Sequence, residues 1–189
     1  MMNIKSTTKL LGKTDISRMI SRLTHEIIEK NGDPENLVLI GILSRGEPLA
    51  QRIKKNIREL TQKSVELGTV NISFHRDDFM ERLVVPQVKG TNISFSLDKR
   101  TVVLVDDVLY TGRTIRAAID ELLSFGRPAK IQLSVLVDRG HREMPIKADF
   151  VGKNIPTNEG EHVNVYLQEI DGTDLVELRQ YAKEMDNAD

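Results

Sequence analysis

Two adjacent carboxylates, Asp106 and Asp107, precede a small-residue turn, Tyr110-Thr111-Gly112-Arg113-Thr114. A turn of Gly and Thr leading into a helix N-terminus offers backbone N–H groups and hydroxyls to a phosphate. Gly112 lets the backbone approach without an intervening Cβ. Carboxylates do not bind phosphate; they accept hydrogen bonds from sugar hydroxyls and attract Mg²⁺. Phosphate beside diol beside metal describes a phosphorylated ribose. Any two of these features would fit an acidic strand end and an ordinary helix cap; all of them within fourteen residues argue for a site. A second small turn, Ser44-Arg45-Gly46-Glu47, places another cation and more backbone amides after an apolar run. Taken alone it is a weak signal, since any strand-to-helix loop can contain it. Walker A and dinucleotide fingerprints are both absent.

These turns need strands and helices to hold them. Thr101-Val102-Val103-Leu104-Val105 reads as a strand buried on both faces of a parallel sheet, with the acids at its carboxyl end, where open α/β sheets bind ligands. Its helix starts near Ile115 and runs to Phe125, before Gly126-Arg127-Pro128. Leu37 to Leu43 is a second such strand, and its helix opens at Pro48 and runs to about Leu60. A strand from about Val65 to Phe74 leads into His75-Arg76-Asp77-Asp78. About twenty residues then follow, through Lys99, which is long for a compact domain and suggests a mobile loop or hairpin arm. Ile131–Val137 is another strand, ending at Asp138-Arg139-Gly140-His141. Asp15 to Lys30 is an amphipathic helix: Ile16, Met19, Ile20, Leu23 and Ile27 share one face, and Arg18, Ser21, Arg22, His25 and Glu29 the other. Such a polar face is most often solvated surface. Residues 1–13 read as loosely held, with at most a short strand near Leu10-Leu11. Val163–Leu167 reads as a strand and Asp174 to Met185 as a terminal helix.

The 189 residues suit one domain spanning residues 1–189, with no internal repeat or linker. Apolar residues make up 39% and charged residues 29%, an ordinary balance for a globular chain. Cysteine is absent, which excludes disulfides, thiol catalysis and a cysteine metal site. No apolar run reaches the roughly 18 residues of a membrane span, and Met1–Thr8 lacks the apolar core of a signal peptide. We therefore expect a cytoplasmic protein without a membrane partner. A net charge of −1 gives no global sign of nucleic-acid binding, so any such contact must come from a local patch.

Val103 through Thr114 resembles the PRPP-binding motif of type I phosphoribosyltransferases. It is most similar to the branch that regulates pyrimidine operons by attenuation and also acts on uracil. Ser44-Arg45-Gly46, Arg76-Asp77-Asp78, Val137 through Glu143, and Gly152-Lys153-Asn154-Ile155-Pro156-Thr157 agree with that branch, over residues 15 to 180 or so. The resemblance implies the type I fold: a mostly parallel twisted sheet flanked by helices, a flexible flap at about 75–100, and a small hood from about 138–160 with N-terminal residues. It implies formation of UMP and pyrophosphate from uracil and PRPP, Mg²⁺ arriving with PRPP, and assembly into dimers or higher oligomers.

By the same resemblance, Ser44, Arg45 and Gly46 hold pyrophosphate, assisted by Arg76 on flap closure. Asp106 and Asp107 hold the ribose hydroxyls, and Val108, Leu109, Tyr110, Thr111, Gly112, Arg113 and Thr114 complete the PRPP and nucleotide site. Val137, Asp138, Arg139 and Ile155 surround uracil. Arg18, Ser21, Arg22, His25, Arg142 and Lys153 form the surface for pyr operon leader mRNA, whose binding responds to UMP or UTP. No residue is assigned as a permanent metal ligand. Hypoxanthine-guanine relatives carry an acidic residue where this chain has Tyr110, which weakens the alternative of purine salvage without RNA binding. His75 departs from the tyrosine usual in this branch, so it is given no role. A lone His141 in a charged loop is more often a turn residue than a base.

Overall fold

The computed structural model describes residues 4–72 and 90–181. The elements run β1 (Ile4–Gly12), α1 (Lys13–Asn31), β2 (Leu37–Ile42), α2 (Gly46–Thr61), β3 (Glu66–Val70), β4 (Thr101–Leu109), α3 (Arg113–Leu122), β5 (Lys130–Asp138), β6 (Phe150–Asn154), β7 (Glu161–Tyr166), α4 (Gln168–Asp171) and β8 (Leu175–Tyr181). β2 to β6 form a five-stranded sheet in the order β3-β2-β4-β5-β6, parallel at every pairing.

Strand alternation sorts this sheet's side chains into two cores. Leu37 and Leu39 of β2 and Val103 and Val105 of β4 join α1 and α2 on one face. Val38, Ile40, Val102 and Leu104 join Ile115, Ala118 and Leu122 of α3 on the other. Helices on both faces explain why β2 is buried at all six positions and reads as a continuous apolar run. α1 spans 13–31, and the five apolar residues of its predicted face are all buried.

Both chain ends differ from expectation. Residues 4–12 are a nine-residue strand, β1, paired antiparallel with β8 (Thr7 opposite Arg179). The predicted terminal helix from Asp174 is therefore strand β8 over Leu175–Tyr181; its remainder lies outside the described residues. With β7 these strands make a small antiparallel sheet, whose Val163, Val165 and Val176 complete the first core. The partners of β1 lie about 170 positions away, so local periodicity carried no sign of the pairing.

Three further boundaries change. Helices α2 and α3 each begin two residues earlier than predicted, at Gly46 and Arg113. The expected flap to residue 100 ends sooner: Thr69 and Asn92 exchange backbone hydrogen bonds of 2.9 and 2.8 Å, and Leu97 is buried in the second core. His75, Arg76, Asp77 and Asp78 lie outside the described residues. Phe150–Asn154, inside the expected hood, is the edge strand of the main sheet.

Candidate active site

Strand β4 does not stop before the acids; it carries them and ends at Leu109. Asp106 is buried and Asp107 half-buried. Asp106 Oδ1 accepts a hydrogen bond from the Asp107 N–H, and Asp107 Oδ1 one from the Val108 N–H, both at 2.9 Å. Each carboxylate thus has one oxygen fixed by the backbone. Because the strand continues, Leu109 is a core side chain, 1% exposed, rather than a loop residue. The turn proper is residues 110–112, with Gly112 as the N-cap of α3 at φ 94°, in the left-handed region. A Cβ on Gly112 would also stand 3.0 Å from Met144 Cβ. Thr111 O accepts from the N–H groups of Glu143 and Met144, each at 2.9 Å, and Arg113 pairs with Glu143 at 2.6 Å. The loop after β5 thereby braces the turn from outside.

The second turn lies beside the first because β2 and β4 are neighbours. Arg45 is the N-cap of α2, and the Leu43–Ser44 peptide is cis. Two glycines set how closely the pieces approach. A Cβ on Gly46 would lie 2.2 Å from Val105 O, and one on Gly41 2.6 Å from Glu47 Cα. The first turn of α2 is therefore wedged against the paired strands β2 and β4, close behind Asp106. Arg45 itself is held: Nε and Nη2 donate to the two carboxylate oxygens of Asp171, at 3.3 and 2.9 Å.

Beyond β5, residues 138–146 and 155–162 fold over the carboxyl end of β4. Asp138 accepts from Gly140 N at 3.0 Å through Oδ1 and pairs with Arg142 through Oδ2. Its carbonyl accepts from Ile155 N at 2.8 Å. Arg139 is 7% exposed. Its Nε donates to Thr157 Oγ1 (3.1 Å), its Nη2 to Glu161 O (2.6 Å), and its guanidinium lies 4.0 Å from the Tyr110 ring centroid. Burial lowers the Arg139 pKa, offset by Tyr110 and Glu161. Burial and the Arg139 charge likewise push His162 below its usual value. The Nε2 of His141 lies 2.6 Å from Thr157 O. A carbonyl only accepts, so this nitrogen carries the proton and is not the free base. Tyr110, Arg139, His141 and the 158–162 turn line a cavity of about 170 Å³. Of the four residues expected around uracil only Arg139 lines this cavity; Asp138, Ile155 and Val137 do not. Val137 is on strand β5. It is 0% exposed, in the middle of the sheet between Val108 and Lys153, with its side chain in the first core.

On α1, Arg18, Ser21, Arg22 and His25 are exposed together, and Lys153 is exposed on β6. Arg22 has a structural task as well: its Nη2 donates to the carbonyls of Val151 and Gly152, tying α1 to β6. Arg142, expected on the same surface, is half-buried and is also a clamp within the loop. Its guanidinium donates to Ile146 O, Tyr110 O and Gly140 O at 2.9, 2.7 and 3.1 Å, besides its pairing with Asp138.

Asp171, which fixes Arg45, gave no local signal in sequence, and Thr157, which fixes Arg139, stood out only as the last residue of a family segment, with no role attached. Each is one polar residue in a loop or short helix, and only the fold brings it to its arginine. Among the described residues no three His, Cys, Asp or Glu side chains gather as a metal site. No described helix is long and apolar enough to cross a membrane.

Residues 6–170 match the family model described as phosphoribosyl transferase domain. The chain is 52% identical over 172 residues to the Bifunctional protein PyrR of Clostridioides difficile, covering 91% of this chain and 97% of that one. It is 53% identical to the protein of the same name from Deinococcus radiodurans, covering 89% and 92%. In fold it is similar to the hypoxanthine phosphoribosyltransferase of Trypanosoma cruzi, with a TM-score of 0.68, 20% identity and 92% and 97% coverage. A hypoxanthine phosphoribosyltransferase from Staphylococcus aureus gives 0.66 at 21% identity, covering 95% and 94%. These last two likenesses establish the architecture alone. With the family model across most of its length, and relatives of one name at half identity over nine-tenths of it, the chain belongs to the phosphoribosyltransferase domain family, in its PyrR group.

Proposed function

We propose that the chain joins uracil N1 to C1 of PRPP, releasing pyrophosphate and giving UMP, and that it binds the leader mRNA of the pyrimidine operon under control of UMP or UTP to attenuate transcription. The observation that carries this reading is identity of about half, over nine-tenths of the chain, to proteins named Bifunctional protein PyrR. It is supported by the close placement of two strand-to-helix turns beside paired carboxylates.

The transition state of such a transfer has oxocarbenium character: the C1–O bond to pyrophosphate breaks as the bond to N1 forms. The ring gains positive charge and the leaving group negative charge, so the protein's work is positioning and electrostatics. Asp106 and Asp107 hold the ribose hydroxyls and favour the cationic sugar. Tyr110 to Thr114 anchor the 5′-phosphate and keep C1 in register. Ser44, Arg45 and Gly46 receive the pyrophosphate, and Arg76 joins them. Mg²⁺ arriving with PRPP would supply further countercharge to the departing group, beside Arg45 and Arg76. Val137, Asp138, Arg139 and Ile155 enclose uracil, Val137 through its backbone because its side chain is in the core. The N1 proton leaves to solvent, since uracil N1–H is acidic enough to need no dedicated base, and His141 is committed to Thr157.

For RNA, Arg18, Ser21 and His25 on the exposed face of α1, with Lys153, present the contacts. Arg22 contributes from a position it also needs for tethering β6. The protein acts as a dimer or larger assembly. The test is a gel-shift titration with a pyr-leader stem-loop, with and without UMP, beside a uracil-plus-PRPP turnover assay. Both activities should be present, and UMP should tighten the RNA complex. Turnover without RNA binding would reduce the protein to a salvage enzyme.

A further inference from the structure

We propose that Asp171 is a positioning residue for PRPP: it grips one edge of the Arg45 guanidinium and leaves the other to the diphosphate. The inference rests on the reading above, in which Arg45 contacts pyrophosphate. Asp171 takes the Nε and Nη2 donors in a two-point contact, and its Oδ2 also accepts from Leu167 N at 2.9 Å. That contact uses two of the five N–H donors and leaves the Nη1–Nη2 edge of the planar fork, with three N–H groups, for another acceptor. The carboxylate is half-buried on a helix too short to hold itself in place. A second arginine does so. Arg52, seven residues along α2 from Arg45, pairs with Glu169 at 2.6 Å and with Asp174 at 2.7 Å, on either side of Asp171. Asp174 in turn accepts from Gln168 N. The turn carrying Asp171 is therefore bolted to the helix whose first residue follows Arg45. An arginine fixed by one edge loses less rotamer freedom on binding an anion than a freely moving one.

The test is Asp171→Asn, which removes the charge but keeps an acceptor for Leu167 N. Initial rates of UMP formation should show the PRPP KM and the pyrophosphate inhibition constant raised about fivefold, with kcat within about twofold and the uracil KM unchanged. In an Arg45→Met background, Asp171→Asn should add nothing, because the group it positions is gone. Three results would overturn the proposal: a PRPP KM that falls, a PRPP KM that stays put, or an effect of the same size without Arg45. Should Asp171→Asn not fold, Arg45→Lys supplies the second variant. A lysine keeps the charge but cannot be gripped at one edge while offering the other, so an unaltered PRPP KM would sink the idea. Failure of the underlying reading looks different: Arg45→Met alone would leave PRPP kinetics unchanged.

Discussion

Replacing Gly46 by alanine tests the link between fold and site most directly. At an unstrained position near a helix start the exchange ordinarily stabilises, because alanine restricts the unfolded chain and favours helix, by roughly 0.4–1 kcal/mol. Here the added Cβ would meet Val105 O at 2.2 Å and Val105 C at 3.2 Å. An ordinary carbon–oxygen approach is about 3.3 Å, so helix and strand must part by about 1 Å. Both clashing atoms are backbone of a central strand, and no side chain can swing away. Overpacking of this kind costs typically 1–3 kcal/mol, and we expect about 3. For a chain of this size that is a fall in Tm of roughly 6–12 °C. The same parting moves Ser44 and Arg45 relative to Asp106, and about 1 Å of misplacement at reacting groups costs on the order of 100-fold. Thermal unfolding by circular dichroism gives the first number; kcat/KM for PRPP, measured well below the lowered Tm, gives the second. Lys55→Ala, at an exposed position of the same helix whose pair with Glu59 is solvated, is the control and should leave both nearly unchanged. An equal or higher Tm for Gly46→Ala, or a destabilised variant with full kcat/KM, would refute the wedge.

Asp106→Asn removes the buried carboxylate and should lower UMP formation by at least about 100-fold with the fold retained; a loss under threefold would show that the ribose is held elsewhere. His141→Ala should leave kcat within about tenfold, since its Nε2 is held by Thr157 O; abolished chemistry with intact PRPP binding would make it the base. Arg18→Glu should weaken RNA binding, flatten its dependence on salt concentration, and spare turnover. Arg22→Glu is the less clean variant, because it also breaks the tether to Val151 and Gly152 and should lower Tm as well. For acid stability, Glu169 lies below its ordinary 4.5 through its hydrogen bond from Arg52. Burial raises Asp174, but hydrogen bonds from Arg52 and Gln168 N outweigh it and leave it below 3.8. Depressed carboxylate pKa values give stability that is complete above those ordinary values and lost as pH falls through the folded ones. Tm should therefore hold from pH 7 to about 5.5 and decline below about 4.5, and Arg52→Met should lower the plateau and flatten the decline. A decline of unchanged slope in Arg52→Met would place the acid sensitivity elsewhere.

What sequence alone determined was the set of elements whose instructions are local. Short continuous apolar runs rich in β-branched residues and bounded by turns read as strands covered on both faces, which made β2, β4 and β5 legible. The period of α1 separated its buried face from its polar one. A glycine-containing turn after two carboxylates carries its own chemistry wherever the fold puts it, so the central motif stood out, and the phosphoribosyltransferase family with it. What only the tertiary structure decided depends on partners far along the chain. β1 and β8 are strands because each supplies the other's hydrogen bonds across some 170 residues; alone, one reads as loose and the other as helical. The Val137 side chain belongs to the first core because packing on that face of the sheet covers it, so only its backbone is left for a ligand. The arginines show it most plainly. By residue type, Arg22, Arg45, Arg139 and Arg142 are equivalent surface cations. Packing makes one a tether, one a gripped fork, one a buried partner of Tyr110 and one a clamp, because a guanidinium's task is set by the acceptors within its reach.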